Sequence, residues 1–494
     1  MPFNCFISFL FIMHSQINRI TDILRRDDGI NGAMQYTEQI SWILFLKFFD
    51  DFEKNAEQWA ILNWEEYSYI LSPEYRRNVR ACPKKNDKID YQTAKSWDDL
   101  KEFVNKKLFP YLKSFKNTTQ DINNMKYKIW EIFWYMENKI ESWHTLREVL
   151  DIIDEMNFQK QDNLFELSKV YEDLLQWMGN DWWNSGEFYT SRVIIKAIVD
   201  YIDPKIWETV YDGAVGSWWF LIEAYEHMKQ QEKSTDDLNL LKHKTFYWNE
   251  KTPLAYIMGV MNMILHWIEN PNITKGNTLT QDIRQIQEKD RFDIILANPP
   301  FWWKEKEQIQ SNFPIKTNAT EMLFLQHFMK KLKLNWRAWI VVPEWVLFNT
   351  SNAFKEIKNL LLSDFNLHTI VSLPSWVFLP YAWVKTNVIF FEKKWRTQDI
   401  WYYEIDPGRK LTKNKPITRE EMQWFIERTK DKKETEFSWK VNINDIKDFD
   451  LSAKNPANIK EIIHRNPKEI VEDIEKSAWK INSLIQNLKW LINN

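Results

Sequence analysis

The sequence predicts an α/β protein built on a doubly wound, mostly parallel sheet, with helices before it and a helix after it. From about residue 176, short apolar runs alternate with helical ones, as in TVYDGAV (209–215) followed by FLIEAYEHMKQ (220–230). The same alternation returns in FDIILANPP (292–300) and MLFLQHFMKKL (322–332). Strands that alternate with helices in this way favour a parallel sheet with helices on both faces.

Three regions are expected along the chain. Apolar residues recur at helical spacing within residues 14–175, for example in ISWILFLKFFDDFEK (40–54), and predict an N-terminal helical domain. The strand–helix pairs that follow, up to the apolar strand NVIFFEK (387–393), place the sheet domain at 176–435. We interpret the polar and charged stretch 400–440 as the boundary of that domain.

The last region, 436–494, ends in a predicted helix over residues 466–492. Its apolar positions follow helical spacing: Ile470, Ile474, Ile481, Ile485 and Leu488. Such a stripe suits a partner helix or a bundle, and packing on the chain's own domain is the alternative.

Charge and cysteine content narrow the function classes. The formal net charge of −3 gives no strong basic signal, which leaves a local basic face or a partner that holds nucleic acid. Cys5 and Cys82 lack metal-ligand spacing, so we expect neither a zinc site nor a disulfide framework, and we expect a reducing cytosol. The apolar run 3–13 is too short to span a bilayer, and we interpret Met13, rather than Met1, as the first residue.

Tryptophan and glycine occur in unusual proportions. The chain has 28 Trp and 9 Gly in 494 residues, whereas ordinary usage of about 7% Gly gives roughly 35. Trp pairs stand in loop contexts, as in DGAVGSWWF (212–220) and NPPFWWKE (298–305). Gly alone has no Cβ, so we hypothesise that the gene reads UGA as glycine and that many of these Trp stand for Gly. Trp42 and Trp439 are interpreted as genuine, and a truly Trp-rich protein is the alternative.

Two acidic residues end successive predicted strands. Asp212 ends TVYD, and the loop AVGSWW then leads into a helix. Ligands of doubly wound sheets bind at the carboxyl ends of the strands, where glycine lets the backbone approach them. Glu250 ends the next strand, and an acid there can accept hydrogen bonds from both hydroxyls of a ribose. Each motif alone also fits an ordinary strand-to-helix turn.

The motif FDIILANPPF (292–301) carries the most specific chemistry. An apolar strand runs directly into Asn-Pro-Pro-Phe, and the two prolines fix the backbone and remove two N–H donors. The Asn298 side-chain oxygen and the Pro299 carbonyl are expected to accept both hydrogens of an adenine amine, which localises its lone pair for attack. Phe301 is expected to supply a stacking face for a base taken out of its helix. A proline-rich turn after a strand is the alternative.

The order of these motifs resembles a known family. SGEFYT (185–190), DGAVGS (212–217), Glu250, GNTL (276–279) and NPPF (298–301) resemble the S-adenosylmethionine-dependent adenine-N6 DNA methyltransferases. The chain looks most like the modification (M) subunit of type I restriction–modification systems, from about residue 18 onward. The resemblance implies a Rossmann-like methyltransferase fold, S-adenosyl-L-methionine as cofactor, and direct methyl transfer from its sulfonium to the adenine amine without a metal. Alignment of donor and acceptor would supply most of the catalysis.

The resemblance also implies a role for each matching residue. The methionine end of the cofactor would be wrapped by Glu187, Phe188, Tyr189, Thr190, Ser191 and Arg192. The cofactor loop would consist of Asp212, Gly216, Ser217, Trp218 and Trp219, with Glu250 holding the ribose and Asn277 accepting a further hydrogen bond. The target-base pocket would consist of Asn298, Pro299, Pro300 and Phe301.

The sequence departs from the family pattern at several positions. Ser191 and Gly213 stand where Pro is common, and Asn277 stands where an acid is usual. Trp occupies the glycine positions 218, 219, 302 and 303. Two indoles at 218–219 would fill space that the cofactor needs, so we expect the literal chain to bind S-adenosylmethionine poorly.

The implied partners are a specificity (S) subunit, a second M subunit, a restriction (R) subunit and double-stranded DNA, with no membrane and a cytoplasmic location. The near-neutral charge fits this assembly, because sequence reading and much of the phosphate contact would belong to another chain. The chain has no G-x-x-x-x-G-K-[ST] phosphate loop and is therefore not the motor subunit. A stand-alone adenine or RNA methyltransferase and a non-catalytic assembly subunit with the same fold are the alternatives.

Overall fold

The structure, a computed structural model, divides into two compact units, Met1–Ala453 and Lys454–Asn494. It describes residues 15–77, 81–85, 88–90, 92–94, 98–121, 124–156, 190–216, 219–265, 272–375, 377, 385–412, 415–458 and 467–493.

The first part of the larger unit is helical, as predicted. A helical stretch at residues 15–24 precedes α1 (Ala33–Leu62), α2 (Asp98–Glu102), a π-helical turn (Phe103–Leu108), α3 (Phe109–Ser114), α4 (Met125–Trp134) and α5 (Trp143–Glu155). A small hairpin pairs Lys84–Lys85 with Lys88–Ile89. Aromatic packing joins these helices, since the Trp42 ring meets the Phe109 ring edge-on at 5.3 Å. The Trp42 indole N–H donates to Gln39 Oε1 at 2.8 Å, so this fully packed indole is also satisfied.

The end of α1 holds a tryptophan in a glycine conformation. Trp64 lies two residues beyond Leu62, is 97% exposed and has a φ of +60°. The Trp64 N–H donates to the Ile61 carbonyl at 3.1 Å and the Glu65 N–H to the Ala60 carbonyl at 2.8 Å. These two bonds form a Schellman motif, whose left-handed residue is usually Gly because a Cβ is strained there. The backbone therefore marks position 64 as a glycine site, and the UGA hypothesis extends to it.

We expect Trp64→Gly to raise the free energy of unfolding by about 1 kcal/mol, because it removes left-handed strain from an exposed residue. The matched control is Trp59→Gly, at an exposed position inside α1, which is expected to lower the free energy of unfolding by about 1 kcal/mol. Denaturant unfolding measures both changes. Destabilisation by Trp64→Gly would contradict the assignment of a glycine site.

Within the described residues, nine strands form one sheet. They are β1 (Val210–Asp212), β2 (Phe246–Glu250), β3 (Asn272–Lys275), β4 (Phe292–Ala297), β5 (Leu332–Pro343), β6 (Asn366–Ser372), β7 (Thr386–Glu392), β8 (Asp399–Glu404) and β9 (Ser438–Asn442). Their order across the sheet is β9-β8-β6-β7-β5-β4-β1-β2-β3. β7 is antiparallel to both its neighbours and β9 is antiparallel to β8, whereas all other pairs are parallel. The predicted mostly parallel sheet is confirmed.

Helices cover both faces of the sheet. They are α6 (Arg192–Ile202), α7 (Trp219–Lys229), α8 (Thr235–His243), α9 (Pro253–Leu265), α10 (Glu307–Gln310), α11 (Thr320–Lys331), α12 (Glu344–Phe348), α13 (Asn352–Asp364) and α14 (Arg419–Asp431). Successive side chains of a strand point to opposite faces. Ile294 of β4 accordingly belongs to one core, with residues of α6 and α7, and Ile295 to the other, with residues of α11 and α13. The sheet is therefore doubly wound.

The direction of winding changes between β1 and β4. From β1 the chain builds outward through β2 and β3 to one edge, and β4 and β5 then continue on the other side of β1. In doubly wound sheets ligands bind outside the carboxyl ends of the strands at such a switch point. The topology thus predicts where the site lies before any side chain is considered.

The stretch 400–440, interpreted above as a boundary, is part of the larger unit. It contains most of β8, the whole of α14 and the start of β9, and β9 pairs with β8. Its charged residues lie on outer faces, while Ile400, Tyr402 and Phe425 are buried. The polar composition therefore reflects half-buried elements at one edge of the sheet, and the compact unit continues to Ala453, past the expected division at 435.

The smaller unit contains α15 (Pro467–Asn493), which confirms the predicted C-terminal helix. Its exposed apolar side chains are Val471, Ile474, Trp479, Ile481, Leu484 and Ile485. Within the described ranges, no helix combines the length and the apolar character needed to cross a membrane.

Candidate active site

A cleft opens at the carboxyl ends of β1, β2, β3 and β4, beside the switch point. It encloses about 780 Å³ of space, counting the part open to solvent. Five of the predicted site residues line it: Gly216, Glu250, Asn277, Asn298 and Pro300. Four separate strand ends thus bring together residues that are far apart in the sequence.

Other predicted residues lie beside the cleft or away from it. Thr190 is buried and its hydroxyl contacts the Asn298 side chain. Ser191 precedes α6, and Arg192 is directed to Glu223, with its Nε 2.6 Å from Glu223 Oε1. Neither Ser191 nor Arg192 lines the cleft, so their cofactor contacts stay predictions. The predicted Glu187, Phe188, Tyr189, Ser217 and Trp218 lie outside the described residues.

Two glycines after β1 are required by the backbone and its neighbours. A Cβ on Gly213 would lie 2.9 Å from the Tyr211 hydroxyl and 3.0 Å from the Phe328 ring, so a larger residue has no room there. Gly216 has a φ of +46°, a conformation that L side chains rarely adopt. The loop that follows Asp212 therefore brings bare backbone to the edge of the cleft.

Asp212 is a buried acid with one unused oxygen. Its Oδ1 accepts from the Ala214 N–H at 2.9 Å, whereas its Oδ2 is buried and has no hydrogen-bond partner among the described residues. Burial, together with the nearby charge of Glu250, raises the pKa of Asp212 to about 8. A ligand with a hydrogen-bond donor at this position would satisfy Oδ2 and favour the charged form.

Asp212→Asn is expected to raise the melting temperature of the ligand-free protein more at pH 8 than at pH 5. The folded-state pKa is about 8, and the unfolded carboxyl titrates near about 4. Between these values the folded state binds more protons, so the contribution of Asp212 to the free energy of unfolding falls as the pH rises. Asn keeps an acceptor for the Ala214 N–H and does not ionise. Thermal unfolding at both pH values measures the difference, and equal shifts would contradict this account.

Glu250 and Asn277 are held in place by backbone bonds. Glu250 is 7% exposed, its carbonyl accepts from the Gly276 N–H at 2.9 Å, and its Oε1 accepts from the Thr252 N–H at 2.6 Å. The Asn277 side-chain oxygen accepts from the Leu279 N–H at 3.0 Å and caps a short 3₁₀ turn. Because both side chains are fixed at the cleft wall, a ligand meets polar groups that are already oriented.

Asn298 presents an amide oxygen that lacks a donor. Its Nδ2 donates to Thr190 Oγ1 at 2.8 Å, which fixes the orientation of the amide. Its Oδ1 is buried and has no hydrogen-bond partner in the part of the chain that the structure describes. A buried acceptor without a donor costs free energy, so such atoms commonly mark a functional contact. An exocyclic amine entering the cleft would supply the missing N–H.

The Phe301 ring lies in the core. Phe301 is fully buried, with α6 and α7 residues in the same apolar cluster, so its ring does not face the cleft in this structure. The stacking role expected for it stays a prediction. Trp303 and Phe324 are the aromatic residues that line the cleft within the described ranges.

Two of the four suspect tryptophans, Trp302 and Trp219, can be judged from their backbone conformation and burial. Trp302 is 59% exposed and has a φ of +69°, so the backbone at this position also takes a glycine conformation. Trp219 is 1% exposed, and its ring packs under the Arg192 guanidinium at 4.6 Å. The Trp219 indole therefore lies in the core and does not line the cleft, contrary to the expectation that it fills the cofactor space.

Several cleft residues were not predicted from the sequence. Lys251 and Thr252 directly follow Glu250, so an extension of that motif into its loop would have included them. Thr320 and Phe324 come from α11 and reach the cleft only through the tertiary fold. No local pattern marks them, because TEMLFLQHF is an ordinary amphipathic helix start.

The fold and the cleft together define a class of protein, namely a doubly wound α/β protein with a ligand-binding cleft at the switch point of its sheet. Comparison with known proteins then gives the family. Residues 161–465 match the N-6 DNA Methylase family, and residues 13–169 match the HsdM N-terminal domain. The chain is 35% identical over 466 residues to the methylase subunit of the type I restriction enzyme EcoEI from Escherichia coli, which covers 91% of each protein.

Two solved structures of similar proteins support the same family. A modification subunit assigned to a type I restriction enzyme of Vibrio vulnificus YJ016 has a TM-score of 0.80 at 32% identity, covering 92% of this chain and 99% of that one. A chain from a structural study of a type I R-M system has a TM-score of 0.74 at 38% identity, covering 98% of both. The chain belongs to the N-6 DNA methylase family, as a methylase subunit of a type I restriction enzyme. Its reaction is methylation of adenine N6 in DNA, and the family implies the use of S-adenosylmethionine.

Proposed function

We propose that the cleft binds S-adenosylmethionine along the ends of β1, β2 and β3 and receives a target adenine at the end of β4. The observation that carries this proposal is the buried Asn298 Oδ1 without a donor, at the switch point of the sheet. An adenine turned out of the DNA duplex would bring its exocyclic amine to this oxygen.

The cleft residues fit the proposed cofactor. Glu250 stands where a carboxylate can accept from the ribose hydroxyls, and Gly216 lets the backbone approach the ligand closely. Asp212 Oδ2 is a buried acceptor beside this loop that lacks a donor. The predicted segment 187–192 would complete the binding surface around the methionine end, and residues 217 and 218 would complete the cofactor loop.

The chain's own residues would orient the amine. When bound, S-adenosylmethionine supplies an electrophilic methyl group on its sulfonium. Asn298 Oδ1 accepts one N6 hydrogen and the Pro299 carbonyl accepts the other, so the lone pair is localised on the nitrogen. Thr190 keeps the amide of Asn298 in the required orientation by accepting from its Nδ2. These groups align the amine with the methyl group, and alignment can remove a large part of the barrier to methyl transfer.

We expect Glu250→Ala to weaken S-adenosylmethionine binding by about 10–100-fold, the effect of losing hydrogen bonds to a charged acceptor. The measurement is isothermal titration calorimetry on the four-glycine variant, in which Trp218, Trp219, Trp302 and Trp303 are replaced by glycine. Glu356→Ala, at an exposed position on α13, is the matched control and should leave the affinity unchanged. Unchanged binding after Glu250→Ala would refute the cofactor assignment to this cleft.

The proposed assembly contains an S subunit that reads the DNA sequence, a second M subunit and an R subunit. The net charge of −3 supports a division of labour in which other chains supply much of the contact with DNA phosphates. The exposed apolar side chains of α15 make this helix the proposed docking surface for the S subunit.

A further inference from the structure

We infer that Thr320 and Glu321, at the start of α11, are positioning residues for the target-base site. They hold the chain segment that directly follows Asn298–Phe301. This inference rests on the proposed role of Asn298, and it assigns a function to two residues that no sequence motif marks.

Hydrogen bonds join the segment 302–305 to the segment 318–321. The Trp302 N–H donates to Glu321 Oε1 at 2.6 Å, and the Thr320 hydroxyl donates to the Trp303 carbonyl at 2.9 Å. The Thr320 N–H donates to the same carbonyl at 3.3 Å, and the Glu305 N–H donates to the Asn318 carbonyl at 2.9 Å. Side chains and backbone of the α11 start therefore clasp the loop immediately after the Asn-Pro-Pro-Phe motif.

The clasp depends on a buried carboxyl group, whose burial costs free energy. Glu321 is 2% exposed, and its Oε2 is buried without a hydrogen-bond partner among the described residues. Burying a carboxyl group costs free energy unless the group is fully bonded. The one bond it makes to the loop fixes residue 302, whose φ of +69° turns the chain so that residue 303 lines the cleft. A neutral apolar residue would serve packing alone at lower cost.

The loop connects this clasp to the reacting geometry. On one side Asn298 is anchored by β4 and by its bond to Thr190 Oγ1. On the other side only a few residues separate it from the bond between residue 302 and Glu321. Without the clasp, the chain that follows the Asn298 amide and the Pro299 carbonyl would keep the buried Phe301 ring but lose its hydrogen bonds to the start of α11. A displacement of about 1 Å in such a site can cost about 100-fold in rate.

The test measures methyl transfer and cofactor affinity separately. The four-glycine variant, assembled with its S subunit, is incubated with unmethylated duplex DNA and labelled S-adenosylmethionine. Glu321→Ala is expected to lower kcat by about 10–100-fold with the dissociation constant of the cofactor within about two-fold of the parent. Glu321→Gln keeps the acceptor for the residue 302 N–H and should restore kcat to within about three-fold.

Two further variants keep the inference open to refutation if Glu321→Ala does not fold. Thr320→Val preserves shape, removes the hydroxyl bond to the residue 303 carbonyl while keeping the backbone bond, and should lower kcat by about 3–10-fold. Glu307→Ala, at an exposed position on α10, is the control and should leave kcat unchanged. Parental kcat in both Glu321→Ala and Thr320→Val overturns the inference. So does an equal loss of kcat and cofactor affinity, or failure of Glu321→Gln to restore kcat.

Asn298→Ala, measured in parallel, separates this inference from the function on which it rests. If Asn298→Ala is inactive while Glu321→Ala and Thr320→Val are fully active, only the positioning role fails. If Asn298→Ala is itself fully active, the proposed function fails.

Discussion

Replacing Trp218, Trp219, Trp302 and Trp303 by glycine is expected to raise the affinity for S-adenosylmethionine by at least about 100-fold. The left-handed backbone at residue 302 favours glycine, so the change there should stabilise the fold without itself altering the affinity. The Trp303 side chain lines the cleft and occupies space there. The resemblance places glycine at all four positions, with 218–219 in the cofactor loop and 302–303 beside the target-base pocket.

Calorimetric titration of the printed chain and of the four-glycine variant measures this gain. The matched control is Trp42→Gly, at an interior position with a satisfied indole N–H, which should destabilise the fold by about 3–5 kcal/mol. Equal cofactor affinity in the printed chain and the four-glycine variant would contradict the glycine assignment.

Peptide mass spectrometry of the native protein tests the same hypothesis without mutation. The UGA hypothesis predicts glycine at 64 and at these four positions, together with Trp at 42 and 439. A buried indole N–H does not by itself distinguish the two classes. Within the described residues, the indole N–H has no hydrogen-bond partner at the suspect Trp219 and none at Trp439, which we interpret as genuine. The backbone angle is the better criterion, and Trp at position 302 of the native protein would contradict the hypothesis.

Asn298→Ala is expected to lower kcat of the four-glycine variant by about 100–1,000-fold, the usual effect of removing one preorganised polar contact to the reacting group. The buried Oδ1 is aligned by the Thr190 bond, so its loss leaves one N6 hydrogen without an acceptor. Cofactor affinity should stay within about two-fold, because Asn298 acts on the adenine rather than on the cofactor.

The rate of methyl incorporation into unmethylated duplex DNA measures the effect of Asn298→Ala. Glu307→Ala, at an exposed position on α10, is the control and should leave kcat close to the parental value. Parental activity in Asn298→Ala would remove the central residue from the proposed mechanism.

Features set by local chemistry were predictable from the sequence. Apolar runs that end in Asp212, Glu250 and Asn298 marked three strand ends, and parallel strands bring their carboxyl ends to one edge. The sheet and the cleft follow from that rule. Trp64 and Trp302 have positive φ, a backbone conformation that favours glycine. This supports the hypothesis, drawn from the counts of Trp and Gly, that some Trp stand for Gly.

Features set by the tertiary fold were not predictable. Thr320 and Glu321 reach the site because α11 packs on one face of the sheet. Glu321 contacts Trp302, which lies 19 residues earlier in the chain, and no local pattern around either residue indicates this contact. Phe301 was expected at the cleft, but its ring lies in the apolar core that also contains residues of α6 and α7. The stretch 400–440 was interpreted as a domain boundary because many of its residues are polar and face solvent.

The most direct test of the central claim identifies the base that this chain methylates. The four-glycine variant and its S subunit are incubated with labelled S-adenosylmethionine and unmethylated duplex DNA, and the DNA is digested to nucleosides. We predict that the label elutes with N6-methyladenosine of the deoxy series and that Asn298→Ala lowers its rate of incorporation by about 100–1,000-fold. Label on cytosine, or no label from a complex that binds both DNA and S-adenosylmethionine, would contradict the claim.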